Sequence, residues 1–464
     1  MTPDVVVGID SSTQSCKVVA VDAATGEIRS SRSVAHPDGT EVDPRAWGAA
    51  LDEAAGDTLE HCSAVSVGGQ QHGLVTLDAD GEPVRPALLW NDVRSAPQAT
   101  RLVADKGADW WASQTGVVPV AAITVTKLAW LAEHEPDSLA LTAEVALPHD
   151  WLTTRLLGRS RDLVTDRSDA SGTGYFDPAR EGYLTDLVRE VAGRDLALPS
   201  VLKPSESAGR TPSGALVAPG AGDNAAGAMG LELEPGEVVV SLGTSGTAFT
   251  VATRRTADAS GEVAGFADCT GRFLPLVCTL NAARVLSSTA ALLGVDLGRF
   301  SDLALEAPAD ADGLLLVPYL DGERTPNLPD ATGTLVGLTR ATMTPAHLAR
   351  ASVLGMLCGM ADALDALRSN GVPVSRVLLI GGAAKSPAVR ALAPAVFGLP
   401  VDVPEDGEYV ARGAARQAAW VLSGGAEPPR WGRRLVGSFE VPDSADWAGE
   451  VRERYAGACE RVYG

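Results

Sequence analysis

The most chemically suggestive stretch of this sequence is Gly220-Ala-Gly-Asp-Asn-Ala-Ala-Gly-Ala-Met-Gly230, where glycines bracket a turn that delivers Asp223 and Asn224 to the head of a small-residue run. Such a run is expected to form a helix whose backbone packs close to a neighbour. At a helix N-terminus, unpaired N–H groups and the macrodipole favour a carboxylate, so Asp223 is expected to be ionised at neutral pH and ready to take a proton. About ten residues on, Glu237-Val-Val-Val-Ser-Leu-Gly-Thr-Ser-Gly-Thr247 reads as an apolar strand entering a turn rich in glycine and hydroxyls. Amides and hydroxyls in such a turn suit phosphate. Taken singly, Asp223 could just as well cap a helix and Gly243-Thr-Ser-Gly246 form a plain hairpin turn. Their closeness in sequence favours a proton acceptor beside a phosphate cradle.

The elements that would position these residues begin at the N-terminus. Val5-Val-Val-Gly-Ile-Asp10 is a continuous apolar strand ending in an acid, Ser11-Ser-Thr-Gln-Ser15 is a polar turn, and Lys17-Val-Val-Ala-Val-Asp22 is a second strand. Glu27–Val34 supplies a third. Asp43-Pro44 starts a helix running to about Leu59, and Ala64-Val-Ser-Val-Gly68 follows as a buried strand. This β-β-β-α-β order, with a hydroxyl-rich loop after the first strand, is that of actin-like ATPase domains. The strand, turn and strand recur at Glu237–Val251, so two halves carry equivalent turns, with Asp10, Thr13 and Lys17 at the first. Two such domains would enclose a cleft between them. Late in the second half, Val374-Ser-Arg-Val-Leu-Leu-Ile-Gly-Gly-Ala-Ala-Lys-Ser386 is a strand entering a glycine turn ahead of a helix from about Pro387. Its glycine pair would let a flat ring lie on the backbone, unless the segment is a routine strand-to-helix turn.

Bulk properties set limits. A chain of 464 residues is too long for one core and suggests two or three domains. No apolar run is long enough to span a membrane, and Met1-Thr-Pro-Asp-Val carries no basic or apolar leader, which predicts a cytoplasmic protein. The six cysteines, Cys16, Cys62, Cys269, Cys278, Cys358 and Cys459, include no C-x-x-C pair and are expected to be reduced. A formal charge of −21 without a basic stripe argues against nucleic-acid and membrane partners. Anionic ligands would then need local amides, hydroxyls and a cation, which points to a magnesium nucleotide. The dispersed histidines show no helical metal pair.

Gly68-Gly-Gln-Gln-His-Gly73, Leu88-Leu-Trp-Asn-Asp-Val-Arg94, Ser168-Asp-Ala-Ser-Gly-Thr173, Gly220–Gly230, Ser241-Leu-Gly-Thr-Ser-Gly246, Tyr319-Leu-Asp-Gly-Glu-Arg-Thr-Pro326 and Leu379–Ser386 together resemble the FGGY carbohydrate kinases, most closely the members acting on xylulose. The match keeps its order from Val5 to beyond Gly413, and the apolar spacing of Trp447, Val451, Tyr455 and Cys459 resembles the family's terminal amphipathic helix. The resemblance implies an α/β protein of two actin-like (ribonuclease H-like) ATPase domains closing over sugar and ATP, with magnesium and nucleotide between them. The domains are expected at residues 1–231 and 232–425, followed by a tail at 426–464. Homodimers are implied as well.

Carried over by resemblance, Asp223 is the catalytic base, Gln71 and His72 contact the sugar together with Asn224, and Asp10 acts on magnesium through water. Thr13, Gln14, Lys17, Gly243, Thr244 and Ser245 surround the transferring phosphate, while Gly381, Gly382, Ala383 and Ser386 frame adenosine. The implied reaction moves the ATP γ-phosphoryl to the terminal 5-hydroxyl of D-xylulose. Other polyols, namely ribulose, gluconate or glycerol, are the nearest alternatives, and a chaperone-type or filament-forming actin-like ATPase is a remote one. Four departures from the family's usual pattern stand out. Ser12 occupies a common glycine position, Gln71 a common methionine, and Thr279–Ser288 lacks a tryptophan. Gly209–Pro219 is also shortened, so that either a surface helix is trimmed or the base is displaced. Trp90, Asn91 and Asp92 read either as pocket lining or as packing. His72 read alone could be structural, and Asp166, Asp169 and Glu323-Arg324 are explained equally by buried ion pairs or loop anchors.

Overall fold

Residues of the strand Val5–Ser11 alternate between two buried faces, as a period of two requires. Val7 and Ile9, with Val65 and Val67 of the strand Ala64–Gly69, pack on Trp47 and Leu51 of the helix Pro44–Ala55. Val6, with Val19, Val21 and Ala64, packs instead on Ala411, Ala415 and Ala418, a stripe along the helix Tyr409–Ser423. The sheet is thus covered by helices on both sides.

The protein is described by a computed structural model covering residues 4–159 and 162–464. Met1, Thr2 and Pro3, at the start read as carrying no leader, fall outside the described residues, as do Ser160 and Arg161. Two compact units form. One comprises residues up to Leu233 with Thr253–Leu274 and Gly407–Gly432; the other comprises Glu234–Ala252, Pro275–Asp406 and Arg433–Gly464.

In the first unit the strands Val5–Ser11, Ser15–Asp22 and Ile28–Ala35 pair antiparallel in sequence order, and Ala64–Gly69 lies parallel to the first. The second unit repeats this arrangement. Gly236–Leu242 pairs antiparallel with Gly246–Thr250, which pairs antiparallel with the strand Phe273–Thr279, while Val374–Ile380 lies parallel to Gly236–Leu242. The expected duplication of an actin-like sheet is therefore present. The first helix is shorter than expected, because Gly56 at φ 52 ends it before a separate turn of 3₁₀ helix at Thr58–Glu60. The terminal helix Asp446–Tyr463 buries Ala448, Val451, Tyr455 and Ala458. Of the residues spaced along the stripe read in the sequence, Val451 and Tyr455 are buried and Trp447 and Cys459 at its ends are half-buried.

The helix Asp223–Gly230 meets Tyr409–Ser423 backbone to backbone, confirming that its small residues serve a close approach. A Cβ on Gly413 would lie 1.8 Å from the Ala226 carbonyl oxygen, and one on Gly230 would lie 2.0 Å from that of Tyr409. Neither backbone can yield without shifting its whole helix. Gly413→Ala is therefore expected to cost about 3 kcal/mol or more, read as a lowered urea midpoint at unchanged slope.

Candidate active site

In the first unit the site is assembled by sheet register. Ala221 and Gly222 pair parallel with Gly68 and Gly69, bringing the Asp223 turn beside Gln70, Gln71 and His72. The preceding segment is trimmed to a short hairpin of Gly209–Arg210 and Leu216–Val217, and the latter also pairs with Ala64 and Val65. The shortened stretch therefore keeps the turn in register.

Gly222 is the residue before the helix, and Asp223 Oδ1 accepts both the Asn224 backbone N–H (2.7 Å) and the Asn224 side-chain amide (2.8 Å). Burial pushes the Asp223 pKa up to about 7, with the charge of Asp10 adding and the Asn224 hydrogen bonds opposing. This corrects the expectation of a fully ionised carboxylate. A helix terminus contributes roughly 0.3–1 kcal/mol, less than the desolvation of a carboxylate packed in protein.

The sugar-side candidates cluster on the same turn. Gln71 is buried against Gly222, donates from Nε2 to the Ser168 carbonyl at 3.3 Å, and has no hydrogen-bond partner for its Oε1 among the described residues. His72 takes the left-handed backbone conformation (φ 67), and its Nδ1 lies 2.7 Å from the Gly172 carbonyl. The Gly172 carbonyl can only accept, so Nδ1 is the donor in this contact. The ring lies 5.5 Å from that of Phe266. Left-handed geometry at a non-glycine residue is stored strain of the kind found at ligand sites.

Asp10 is buried directly opposite Lys17 in the first hairpin. Burial pushes its pKa up to about 6; the Ser12 hydroxyl, donating at 2.8 Å, and Lys17 oppose this, while Glu408 adds to it. Lys17 Nζ reaches Glu408 Oε2 at 2.6 Å, immediately before the helix Tyr409–Ser423. The pair is about one-third exposed and contributes no more than about 1 kcal/mol. Thr13 Oγ1 accepts from the Trp90 indole (2.8 Å) and contacts Gln70 Oε1 at 3.4 Å; Gln14 is exposed. Asp10 and Glu408 offer oxygen donors only, which fits a hard divalent cation such as magnesium. Glu408 was missed by sequence reasoning, since nothing local marks a glutamate distant in sequence from Lys17.

Several open residues resolve as anchors. Asp92 accepts from Thr40 and pairs with Arg94, Asp166 accepts the Ser168 and Asp169 backbone N–H groups, and Asp169 bonds to His149. Glu323 accepts from the Leu280 backbone and the Asn281 side chain.

The second unit holds a cavity of about 670 Å³ lined by Gly243, Thr244, Gly382, Ala383 and Ser386 among the expected nucleotide residues, with Leu297, Phe300 and Pro387 as apolar walls. Arg284 and Lys385 add cations. Ser245 and Gly381 do not line it. Gly381, at φ 92, is pressed against the Leu242 backbone and shapes the turn from beneath. The helix Ala283–Leu293 contributes Ala283, Leu286 and Ser287, so the tryptophan-free stretch leaves an open wall.

The models of the FGGY family of carbohydrate kinases match this chain over residues 5–230 for the N-terminal domain and 238–422 for the C-terminal domain. A xylulose kinase of Streptomyces coelicolor is 49% identical over 436 residues, covering 90% of this chain and 88% of its own. A xylulose kinase of Streptomyces rubiginosus is 47% identical, covering 97% and 95%. The crystal structure of xylulose kinase from Bifidobacterium adolescentis superimposes with a TM-score of 0.92 at 44% identity, over 99% of this chain and 100% of that one.

Carboxyl titration of aspartate-labelled protein by carbon-13 NMR, without divalent cations, is expected to show a group with a midpoint near 7 that disappears in Asp223→Asn. A second midpoint near 6 should disappear in Asp10→Asn.

Proposed function

The chain belongs to the FGGY family of carbohydrate kinases, and from that premise we infer that it transfers the γ-phosphoryl group of ATP to the 5-hydroxyl of D-xylulose, giving D-xylulose 5-phosphate and ADP. The observation that carries this reading is one turn that places Asp223, whose pKa burial raises, directly after the Gly222 packed on Gln71 and in register with the strand leading to Gln71 and His72. The names of the similar proteins support xylulose as the acceptor.

A sugar hydroxyl is a weak nucleophile at neutral pH. Asp223 accepts its proton as the new oxygen–phosphorus bond forms and the bond from the γ-phosphorus to the bridging oxygen of ADP breaks. Gln71 Oε1, His72 and Asn224 take up acceptor hydroxyls, and the strained backbone at His72 fixes where its ring stands. Thr13, Gln14 and Lys17 receive phosphate oxygens, as do Gly243, Thr244 and Ser245. The glycine-lined cavity takes adenosine on Gly382, Ala383 and Ser386, with Gly381 setting the turn. Magnesium held at Asp10 through water would supply positive charge to the phosphate oxygens and favour the ionised forms of both acids. Such an enzyme belongs in the cytoplasm, where ATP and sugar meet, and the chain fits that setting: no helix among the described residues is long and apolar enough to cross a membrane.

The first test is ADP release with ATP and magnesium across D-xylulose, D- and L-ribulose, D-gluconate, glycerol and a no-sugar control. D-Xylulose is expected to dominate; preference for another polyol overturns the acceptor assignment, and sugar-independent turnover overturns the kinase reading. Asp223→Asn should lower kcat by about a thousandfold while ATP binding persists. Near-normal turnover would remove Asp223 as base.

Proton linkage gives a further check. Asp10 and Asp223 hold their protons to about pH 6 and 7, so a cation must displace protons at low pH and meets carboxylates at high pH. Magnesium is therefore expected to raise Tm more at pH 8 than at pH 5.5. An equal shift at both would detach the cation from these acids.

A further inference from the structure

Behind the Asp223 turn lies a fully buried charged group that the reaction does not itself use. His149 is the first residue after Pro148 in the helix Pro148–Leu156, and its Nδ1 lies 2.7 Å from Asp169 Oδ2 and 3.1 Å from Asp150 Oδ1. Its Nε2 lies 3.3 Å from the Pro219 carbonyl, so the ring spans from a buried carboxylate pair to the strand that leads into the turn. Burial disfavours the imidazolium, but Asp150, Asp169 and Asp166 outweigh it and push the His149 pKa up to about 10. Both ring nitrogens face acceptors, Nδ1 the carboxylates and Nε2 the Pro219 carbonyl. The face of the ring is also occupied: Gly220, at φ 91, lies so close that a Cβ there would stand 2.2 Å from His149 Cδ2.

A second contact comes from the short helix Arg167–Ala170. Its N-terminus is capped by Asp166, which accepts the N–H groups of Ser168 (2.8 Å) and Asp169 (2.9 Å). Ser168 Oγ accepts the Gly222 N–H at 3.1 Å, and the Ser168 carbonyl accepts from Gln71 Nε2. Three turn positions are thus held from one side. Pro219 is held by its carbonyl, Gly220 by ring contact and Gly222 by its N–H, all just ahead of Asp223. The histidine and carboxylate atoms lie close enough to suggest a metal group, yet His149 Nδ1 is already taken up by Asp169 Oδ2, while Asp150 Oδ1 and Asp169 Oδ1 accept no hydrogen bond among the described residues.

We propose that His149, paired with Asp169, and Ser168 are positioning residues that fix the Asp223 turn at the depth and angle proton transfer requires. None touches the reacting atoms in this scheme. The proposal rests on Asp223 being the base. A displacement of that carboxylate by about 1 Å is enough to cost roughly a hundredfold in rate, and this buried network is what the turn leans on.

The test measures kcat, KM for D-xylulose, KM for ATP and Tm, each per folded molecule, in His149→Gln, Asp169→Asn, the two combined, Ser168→Ala, and Asp223→Asn as control. Glutamine in place of His149 keeps a donor for Pro219 but cannot also donate to Asp169. In the combined variant the asparagine amide that replaces the Asp169 carboxylate donates to the carbonyl oxygen of the glutamine that replaces the His149 ring, restoring the connectivity without charge. The single variants at these two positions are expected to lower kcat about 10- to 100-fold with KM for ATP within about twofold of wild type, and the combination to recover at least about fivefold over the worse single variant. Ser168→Ala, which removes only one hydroxyl, should lower kcat about tenfold at near-native Tm. Turnover within about twofold of wild type in Ser168→Ala and His149→Gln, or a combined variant no better than its parts, overturns the proposal. Should Asp223→Asn itself retain turnover, the base assignment fails, a result distinct from positioning variants that are silent while Asp223 remains essential.

Discussion

The first unit depends on a contact that only glycine permits. The helix that begins at Asp223 lies backbone against backbone on Tyr409–Ser423, with Gly230 and Gly413 at the crossing. The second helix in turn packs its alanines on the first sheet and begins one residue after Glu408. One tight crossing therefore fixes where Asp223 stands and where the partner of Lys17 stands. Packing of this density does not drift in small increments, so both are set together.

The electrostatics of the unit follow from that density. Two acids, Asp10 and Asp223, are enclosed closely enough to sense each other, and burial raises both. The net charge of −21 makes the surroundings no kinder to a further anion. Burial thus disfavours negative charge on both acids, as the proposed phosphoryl transfer would require of acids that are poised rather than neutralised by permanent salt bridges. The neighbouring cation, Lys17, is shared with Glu408 in a partly exposed pair and so remains exchangeable.

Much of this was legible in the sequence because it is local. Apolar strands with their turns, the glycine-bracketed Asp223 and the repeated hairpin are short-range patterns, and all appear as read. What escaped was long-range. Glu408 meets Lys17 only because one helix crosses the first sheet, and His149 reaches Pro219 only through the fold. The ionisation of Asp223 was misjudged for a related reason: the helix terminus is visible in sequence, whereas the desolvation that outweighs it comes from distant segments.

Ser168 gives the site an evolutionary character. Its hydroxyl accepts from Gly222 just before Asp223, while its carbonyl holds the side-chain amide of Gln71. In the proposed scheme, recognition and reactivity thus share a single residue as their common abutment. Changes at Gln71 will transmit through Ser168 to the turn carrying Asp223, so substitutions at the two places are expected to be non-additive. A lineage shifting to a new polyol would have to pass through linked replacements, and this site is accordingly harder to repurpose one step at a time than a pocket whose walls and reacting group are supported separately.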